Sequence, residues 1–131
     1  MHHDSRLETY PVFSLSLERP ETRFKTVDEI TGYLIEKIEA DKIAHLISVF
    51  DPYSYISSLE QGYIGDDILA TRSIVFCFGI TLPSPEVMAE RPRSIGICEL
   101  HNGFFITFME VPMPVANTTI EGWVRSLATH R

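Results

Sequence analysis

The two cysteines are the first side chains in this sequence to consider for chemistry. Cys77 and Cys98 lie in segments whose residues alternate as in β-strands, and the alternation predicts that both thiols share one face of a sheet. Such a pair could form a redox couple or bind a soft metal ion. A reactive thiol also needs a neighbouring cation, and the sequence places no lysine or arginine on that face. We therefore favour two buried, unreactive cysteines.

Histidine and carboxylate side chains form a second candidate set. His45 lies in an earlier predicted strand, and His101 lies beside a predicted hairpin turn, with Glu99 and Glu110 on the two hairpin strands. A histidine–carboxylate pair could perform acid–base catalysis or bind a metal ion. Residues that flank tight turns are commonly just polar and exposed, and no third group completes a catalytic set. An exposed, non-catalytic role is therefore the favoured interpretation.

The first residues offer a third kind of site. Met1, His2 and His3 could chelate Cu²⁺ or Ni²⁺ through the terminal amine, backbone amides and the His3 imidazole. A flexible terminus over residues 1–8 is the favoured interpretation, and the sequence identifies no particular metal.

Two arginines provide the preferred hypothesis for a ligand. Arg91, Arg93 and Glu110 lie near the ends of the hairpin strands and could form a polar rim in which the arginines hold a carboxylate ligand. Tyr53 and Tyr55 could form an aromatic lid over the same opening, or could pack their own loop down. An ordinary ion pair at the surface or at a dimer rim is nevertheless the favoured interpretation of these residues.

Periodicity and capping signals predict the elements that position these residues. Apolar runs predict five strands, over residues 10–18, 43–50, 73–80, 94–100 and 104–109. Capping boxes predict helix starts at Thr26 and Thr118, and Ser84 with the following proline predicts a short helix that ends before Pro92. Segment 53–70 is expected to be a loop excursion with short helical turns, most clearly at 66–70.

The last two strands are separated by an asparagine and a glycine. An Asn-Gly pair between apolar runs is the strongest short signal for a two-residue hairpin turn. With Asn102 and Gly103 in the turn, counting outward places Cys98 opposite Thr107.

The element order β-α-β-β-(short α)-β-β-α predicts an α+β fold. We expect a two-layer sandwich with a mostly antiparallel five-stranded sheet and helices on one face. The other face has small residues in its middle and apolar residues at its rim, and it includes Cys77, Cys98, Thr107 and Met109. Such a face indicates a homodimer with stacked sheets or a ligand cleft, unless segment 53–70 covers it.

Length and charge limit the class of protein. The chain has 131 residues and a formal net charge of −7, which predicts one domain over residues 1–131 and argues against nucleic acid and anionic membranes as partners. No segment reads as a signal peptide or a membrane span, so a cytoplasmic protein is expected. No cofactor is expected, and no set of residues forms a diagnostic catalytic motif.

Four runs carry a resemblance to known families. They are SIVFCFG at 73–79, LPSPEVMAERP at 82–92, SIGICE at 94–99 and FITFMEVP at 105–112. They resemble a small uncharacterised bacterial family and, more loosely, the domain-of-unknown-function family numbered 302. The resemblance implies a fold like a half-repeat of the TATA-box-binding protein, β-α-β4-α, and a dimer. The chain departs from the broader family at Ile97, where that family has a proline before the cysteine.

These observations predict a non-enzymatic dimeric accessory domain. It would bind a small molecule or a protein partner at the open sheet face or at the dimer seam. One alternative is a small thiol- or metal-dependent enzyme that uses Cys77, Cys98 and His101, and another is a purely structural interaction module.

Overall fold

A five-stranded antiparallel sheet organises the protein, whose computed structural model describes residues 11–129. The strands are β1 (Val12–Glu18), β2 (Ala44–Phe50), β3 (Ile68–Phe78), β4 (Arg93–Leu100) and β5 (Gly103–Met109). The helices are α1 (Val27–Ala40), α2 (Pro52–Ser57) and α3 (Pro114–Arg125), with 3₁₀ turns at Arg19–Glu21 and Pro85–Glu90. No helix within the described residues has both the length and the apolar character of a membrane span.

The strand order is β1-β5-β4-β3-β2, and every neighbouring pair is antiparallel. Helices α1 and α3 cover one face, which we call the helix side. The predicted α+β fold is therefore confirmed. The core lies between these helices and the sheet and is built from the following buried side chains: Leu17, Val27, Ile30, Leu34, Ile38, Ile74, Phe76, Phe78, Ile95, Ile97, Phe104, Ile106, Phe108, Ala116, Ile120, Trp123, Val124 and Leu127.

Helix α1 begins where its capping box predicts. The Thr26 side chain accepts a hydrogen bond from the Glu29 amide at 3.0 Å, as predicted. The Glu29 side chain accepts from the Lys25 amide at 2.7 Å instead of from the Thr26 amide that a complete capping box would use. Ile30, Leu34 and Ile38 recur at helical spacing and are fully buried against the sheet. This stripe anchors the helix because its burial removes large apolar side chains from water.

Two predicted boundaries are wrong. Helix α3 begins at Pro114 rather than after Thr118. A proline suits the first position of a helix because its φ angle is already helical, and because the amide N–H that it lacks would have no partner within the helix. The residues expected to be helical at 66–70 instead lead into β3, where Ile68 pairs with Leu100. Tertiary pairing along β4 overrides the local helical preference there.

The hairpin register also differs from the prediction. His101 and Asn102 form the turn, so that Cys98 lies opposite Phe105 rather than Thr107. No non-glycine residue within 11–129 has a positive φ angle, so this is not the mirror-image turn that an Asn-Gly pair favours. The register moves by two positions, which keeps every side chain on its predicted face.

Gly103 serves strand pairing instead of the turn. A Cβ atom at this position would overlap the carbonyl oxygen of Leu17, which belongs to the neighbouring edge strand β1. Beside it, Arg19 donates to the carbonyls of Leu100 and His101 at 3.0 and 3.2 Å. The glycine is therefore required by the close approach of two backbones.

We predict that Gly103→Ala destabilises the protein by about 3 kcal/mol, at the upper end of single substitutions, because the backbone of β1 must move. Chemical denaturation followed by circular dichroism measures this change. Gly122→Ala in α3 is the matched control, since nothing lies within 4 Å of its added methyl group. The control should gain about 0.5–1 kcal/mol from helix propensity, and equal losses in both variants would contradict the explanation.

Candidate functional site

The face of the sheet opposite α1 and α3, here called the open face, is the largest candidate surface. Its residues are Val12, Ser14, Ser16 and Glu18 of β1, Phe105, Thr107 and Met109 of β5, Ser94, Gly96, Cys98 and Leu100 of β4, Thr71, Ser73, Val75 and Cys77 of β3, and His45, Ser48 and Phe50 of β2. Across the described strands, Glu18 at one corner is the only acidic or basic residue of this face apart from His45.

The middle of the open face is small and the rim is apolar. One row runs in register across four strands through Ser14, Thr107, Gly96 and Ser73. Thr107 donates to the Phe13 carbonyl at 2.9 Å, and its hydroxyl oxygen lies 3.1 Å from that of Ser14. These bonds keep the two hydroxyls close to the backbone, so the row of short side chains projects little above the sheet.

Three large apolar residues border this row. Val12, Met109 and Phe50 are 53%, 44% and 51% exposed. An apolar rim around a flat centre exposes more hydrocarbon than the outer face of a monomeric antiparallel sheet usually does.

The two cysteines share the open face as predicted, but they are not neighbours. Cys77 pairs with His45, whereas Cys98 lies between Thr71 and Phe105. Six strand positions separate Cys77 from Thr71, which corresponds to about 20 Å. The register therefore rules out the redox pair that the sequence left open, and it agrees with the favoured interpretation of two unpaired cysteines.

The environment of Cys98 disfavours a reactive thiolate. Burial raises the pKa of the Cys98 thiol, and the nearby Asp67 carboxylate raises this pKa further. The thiol consequently stays protonated at neutral pH, and a protonated thiol is a poor nucleophile.

The excursion between β2 and β3 is anchored by one carboxylate. Asp51 caps α2 by accepting from the Ser54 amide and hydroxyl at 3.2 and 2.8 Å, and it also accepts from Thr71 at 2.9 Å and Arg72 at 3.0 Å. Burial alone would raise the pKa of Asp51, but the hydrogen bonds from Ser54 and Thr71 and the charge of Arg72 outweigh it and lower this pKa. Sequence reasoning missed this role, although an aspartate before a proline is an N-cap signal.

The rest of the excursion packs on itself. The Tyr53 amide donates to the Thr71 hydroxyl at 2.8 Å, and Tyr53 lines a cavity of about 180 Å³ together with Ile56 and Ile68. A Cβ atom at Gly62 would overlap the Ile56 carbonyl, so the loop closes tightly. The excursion covers the end of the open face at Thr71, which is 9% exposed, and leaves the remainder uncovered.

The predicted polar rim is wrong for Arg93. Its side chain lies on the helix side and is 4% exposed, with Nη2 donating to the Met109 carbonyl at 3.0 Å and to Asn117 Oδ1 at 2.9 Å. Among the described residues, Arg93 Nη1 and Arg91 Nε are buried without a hydrogen-bond partner. We call Arg91, Arg93 and Asn117 the arginine cluster. Sequence reasoning missed Asn117, which carries no motif of its own.

The other predicted combinations are also separated by the sheet. Arg91, Arg93 and Glu110 lie at the end where β4 begins, whereas Tyr53 and the exposed Tyr55 follow β2 at the opposite end. The tyrosines therefore form no lid over the arginines.

The histidines likewise lie apart. His45 is at the start of β2, and His101 is at the β4–β5 turn, where Glu99 is bound to Arg19 at 2.8 Å rather than to a histidine. Within residues 11–129, no group of three or more His, Cys, Asp or Glu side chains is arranged to hold a metal ion. His2 and His3 lie outside the described residues.

Comparison with known proteins identifies a family. A family of unknown function, DUF6858, matches residues 1–129 of the chain. The chain belongs to this family. No curated protein and no solved structure gives a match. Membership in DUF6858 agrees with the predicted uncharacterised family, whereas the link to the family numbered 302 stays a resemblance.

We predict that Asp67→Asn speeds the labelling of Cys98 in the folded protein severalfold, at most about fivefold, because one exposed negative charge is removed. A disulfide reagent at pH 8 on a Cys77→Ser background measures the rate. Asp66→Asn, which removes the adjacent exposed carboxylate, should leave the rate unchanged. Equal effects of both substitutions would refute the assignment to Asp67.

We predict that Asp51→Ala costs about 1–2 kcal/mol in the free energy of unfolding at pH 7, since it removes a helix cap and the partner of Thr71. Because the pKa of Asp51 is lowered on folding, the wild-type advantage should shrink as the pH falls below about 4. Denaturation at several pH values measures both effects. Asp66→Ala is the control, and a pH-independent difference would count against the carboxylate.

Proposed function

We propose that this protein is a non-catalytic binding module that acts as a homodimer, with the open faces of two copies packed against each other. The observation that carries the proposal is the lack of charge on the open face of a strongly acidic chain. With a formal net charge of −7, two copies repel each other over most of their surfaces. The open face is a large surface on which this repulsion is weakest.

The composition of the face also favours an interface. Interface cores are depleted in charged residues, and their aromatic and methionine residues are enriched. Phe105 and Met109 on β5 and Phe50 on β2 provide such groups, and Glu18 lies at a corner. Small residues in the middle let two sheets approach closely.

The area reaches the minimum for a specific interface. Five strands about 4.8 Å apart, each about seven residues long at about 3.3 Å per residue, give a face of about 550 Å² in projection. Two such faces remove about 1,100 Å² from water, and more once protruding side chains are included. This exceeds the roughly 1,000 Å² that a specific interface requires.

A small apolar molecule held at the seam is a second candidate function. The low row of Ser14, Thr107, Gly96 and Ser73 leaves a shallow groove, with Val12 and Met109 along one side and Phe50 at one end. In a dimer the two grooves would face each other and enclose a shared space lined by the hydroxyls of both rows.

We predict that the wild-type protein sediments as a dimer and that Ser94→Lys weakens dimerisation at least about 100-fold, because two added charges would be buried without partners. Ser94 is exposed on the central strand β4, so the monomer should tolerate the lysine. Sedimentation velocity over a concentration series measures the association.

Thr118→Lys is the matched control, since it adds the same charge at an exposed position of α3 on the helix side. It should leave the dimer intact. A wild-type protein that stays monomeric at high concentration, or a Ser94→Lys dimer of unchanged strength, would overturn the proposal. Native mass spectrometry of the dimer would reveal any molecule retained at the seam.

A further inference from the structure

The arginine cluster presents unused hydrogen-bond donors inside the helix side of the protein. Arg93 is 4% exposed, and only one of its two terminal nitrogens is bonded. Arg91 adds a second buried donor, its Nε atom, which also lacks a partner among residues 11–129. Buried donors are almost always satisfied in folded proteins, so two in one cluster call for an acceptor.

The first turn of α3 adjoins these donors. Asn117, the fourth residue of α3, accepts from Arg93 and donates to the Val111 carbonyl at 2.6 Å. The N-cap residue Met113 makes no side-chain capping bond, and the first turn contains no acidic residue. The free amides of this turn therefore add the partial positive charge of a helix N-terminus to the two arginines.

A glycine brings Arg91 close to this turn. Gly79 has a φ angle of +118°, and a Cβ atom there would lie 2.7 Å from Arg91 Nη2 and 3.7 Å from Met113 Cε. The absence of a side chain thus lets Arg91 and Met113 come together. Both are partly exposed, so the cluster reaches the molecular surface.

Two carboxylates lie near Arg93 but do not bond to it directly. Burial lowers the pKa of Arg93, while Glu90 and Glu110 oppose this effect through their negative charges. Neither carboxylate forms an ion pair within 4 Å of Arg93 in the described part of the chain. A buried guanidinium with incomplete pairing is unfavourable, and a directly bonded oxyanion would stabilise it.

We infer that the arginine cluster and the first turn of α3 bind the single oxyanion group, phosphate or carboxylate, of a small molecule. Arginine forks match the geometry of such groups, and helix N-terminal amides point donors at them. Glu90 and Glu110 bring the local charge close to zero, so a group with one or two negative charges is favoured over a polyphosphate. The site lies on the helix side and is independent of the dimer interface.

Inorganic phosphate and acetate are the probes, with sodium chloride at equal ionic strength as the reference. Thermal unfolding of the full chain should show a rise in Tm with phosphate, with acetate or with both, and calorimetric titration gives the affinity. The probe that binds identifies the class of ligand. If neither anion raises Tm above the chloride reference, the site does not exist.

Three variants separate binding from folding. Arg91→Gln should weaken binding at least tenfold, whereas Arg125→Gln at the exposed end of α3 should leave it unchanged. Val115→Asp places a carboxylate on the exposed first turn of α3, so it should raise Tm without anion and yet weaken anion binding. Equal binding by the wild type, Arg91→Gln and Val115→Asp would overturn the inference. Ser94→Lys should bind the anion normally even when it is monomeric.

Discussion

The backbones of β1 and β5 approach so closely at Gly103 that no side chain fits between them, and the rest of the sheet depends on this contact. It joins the first strand of the chain to the last and so adds β1 as the edge strand of the open sheet on which α1 and α3 pack. Arg19 fixes the register by bonding to the β4–β5 turn and to Glu99. A slip of one residue in this pairing would move Phe13, Leu15 and Leu17 from the core to the open face, and it would bury the polar side chains of β1 in their place.

That register separates two surfaces with different properties. On the helix side, apolar side chains fill the core and leave the arginine cluster at one end. On the open face, residues at alternate positions of the same strands carry hydroxyls, thiols and a few large apolar groups, with almost no charge. The two proposed sites therefore belong to opposite sides of one sheet, and each can change without disturbing the other. Successive side chains of a strand point to opposite faces, so one face of the sheet can stay almost uncharged although the chain as a whole is acidic.

Sequence patterns predicted the fold better than the sites, for physical reasons. The Thr26 N-cap and the alternation in β1 and β4 are local signals, and both were confirmed. The sequence predicted a turn at Asn102 and Gly103, one residue later than the observed turn at His101 and Asn102. Gly103 is needed instead for close contact with the backbone of Leu17, which is more than 80 residues away in the chain. The separation of Cys77 from Cys98 likewise depends on the register of β3 with β4. Periodicity determines the face of a residue but gives no information on its position along a neighbouring strand.

Arg93 is a charged residue at a position of β4 where the strand pattern calls for a buried apolar one. Its neighbours at alternate positions of β4 are the isoleucines 95 and 97, and an apolar residue in its place would fill the same layer without burying a charge. Replacing buried ionic groups by well-packed apolar ones is often neutral or stabilising, so stability alone gives little reason for an arginine here. Hydrogen bonds to Met109 and Asn117 compensate part of the cost, but Nη1 remains unsatisfied within the described residues. A position that breaks the apolar pattern, with an unused donor beside an uncapped helix, is better explained by binding than by folding.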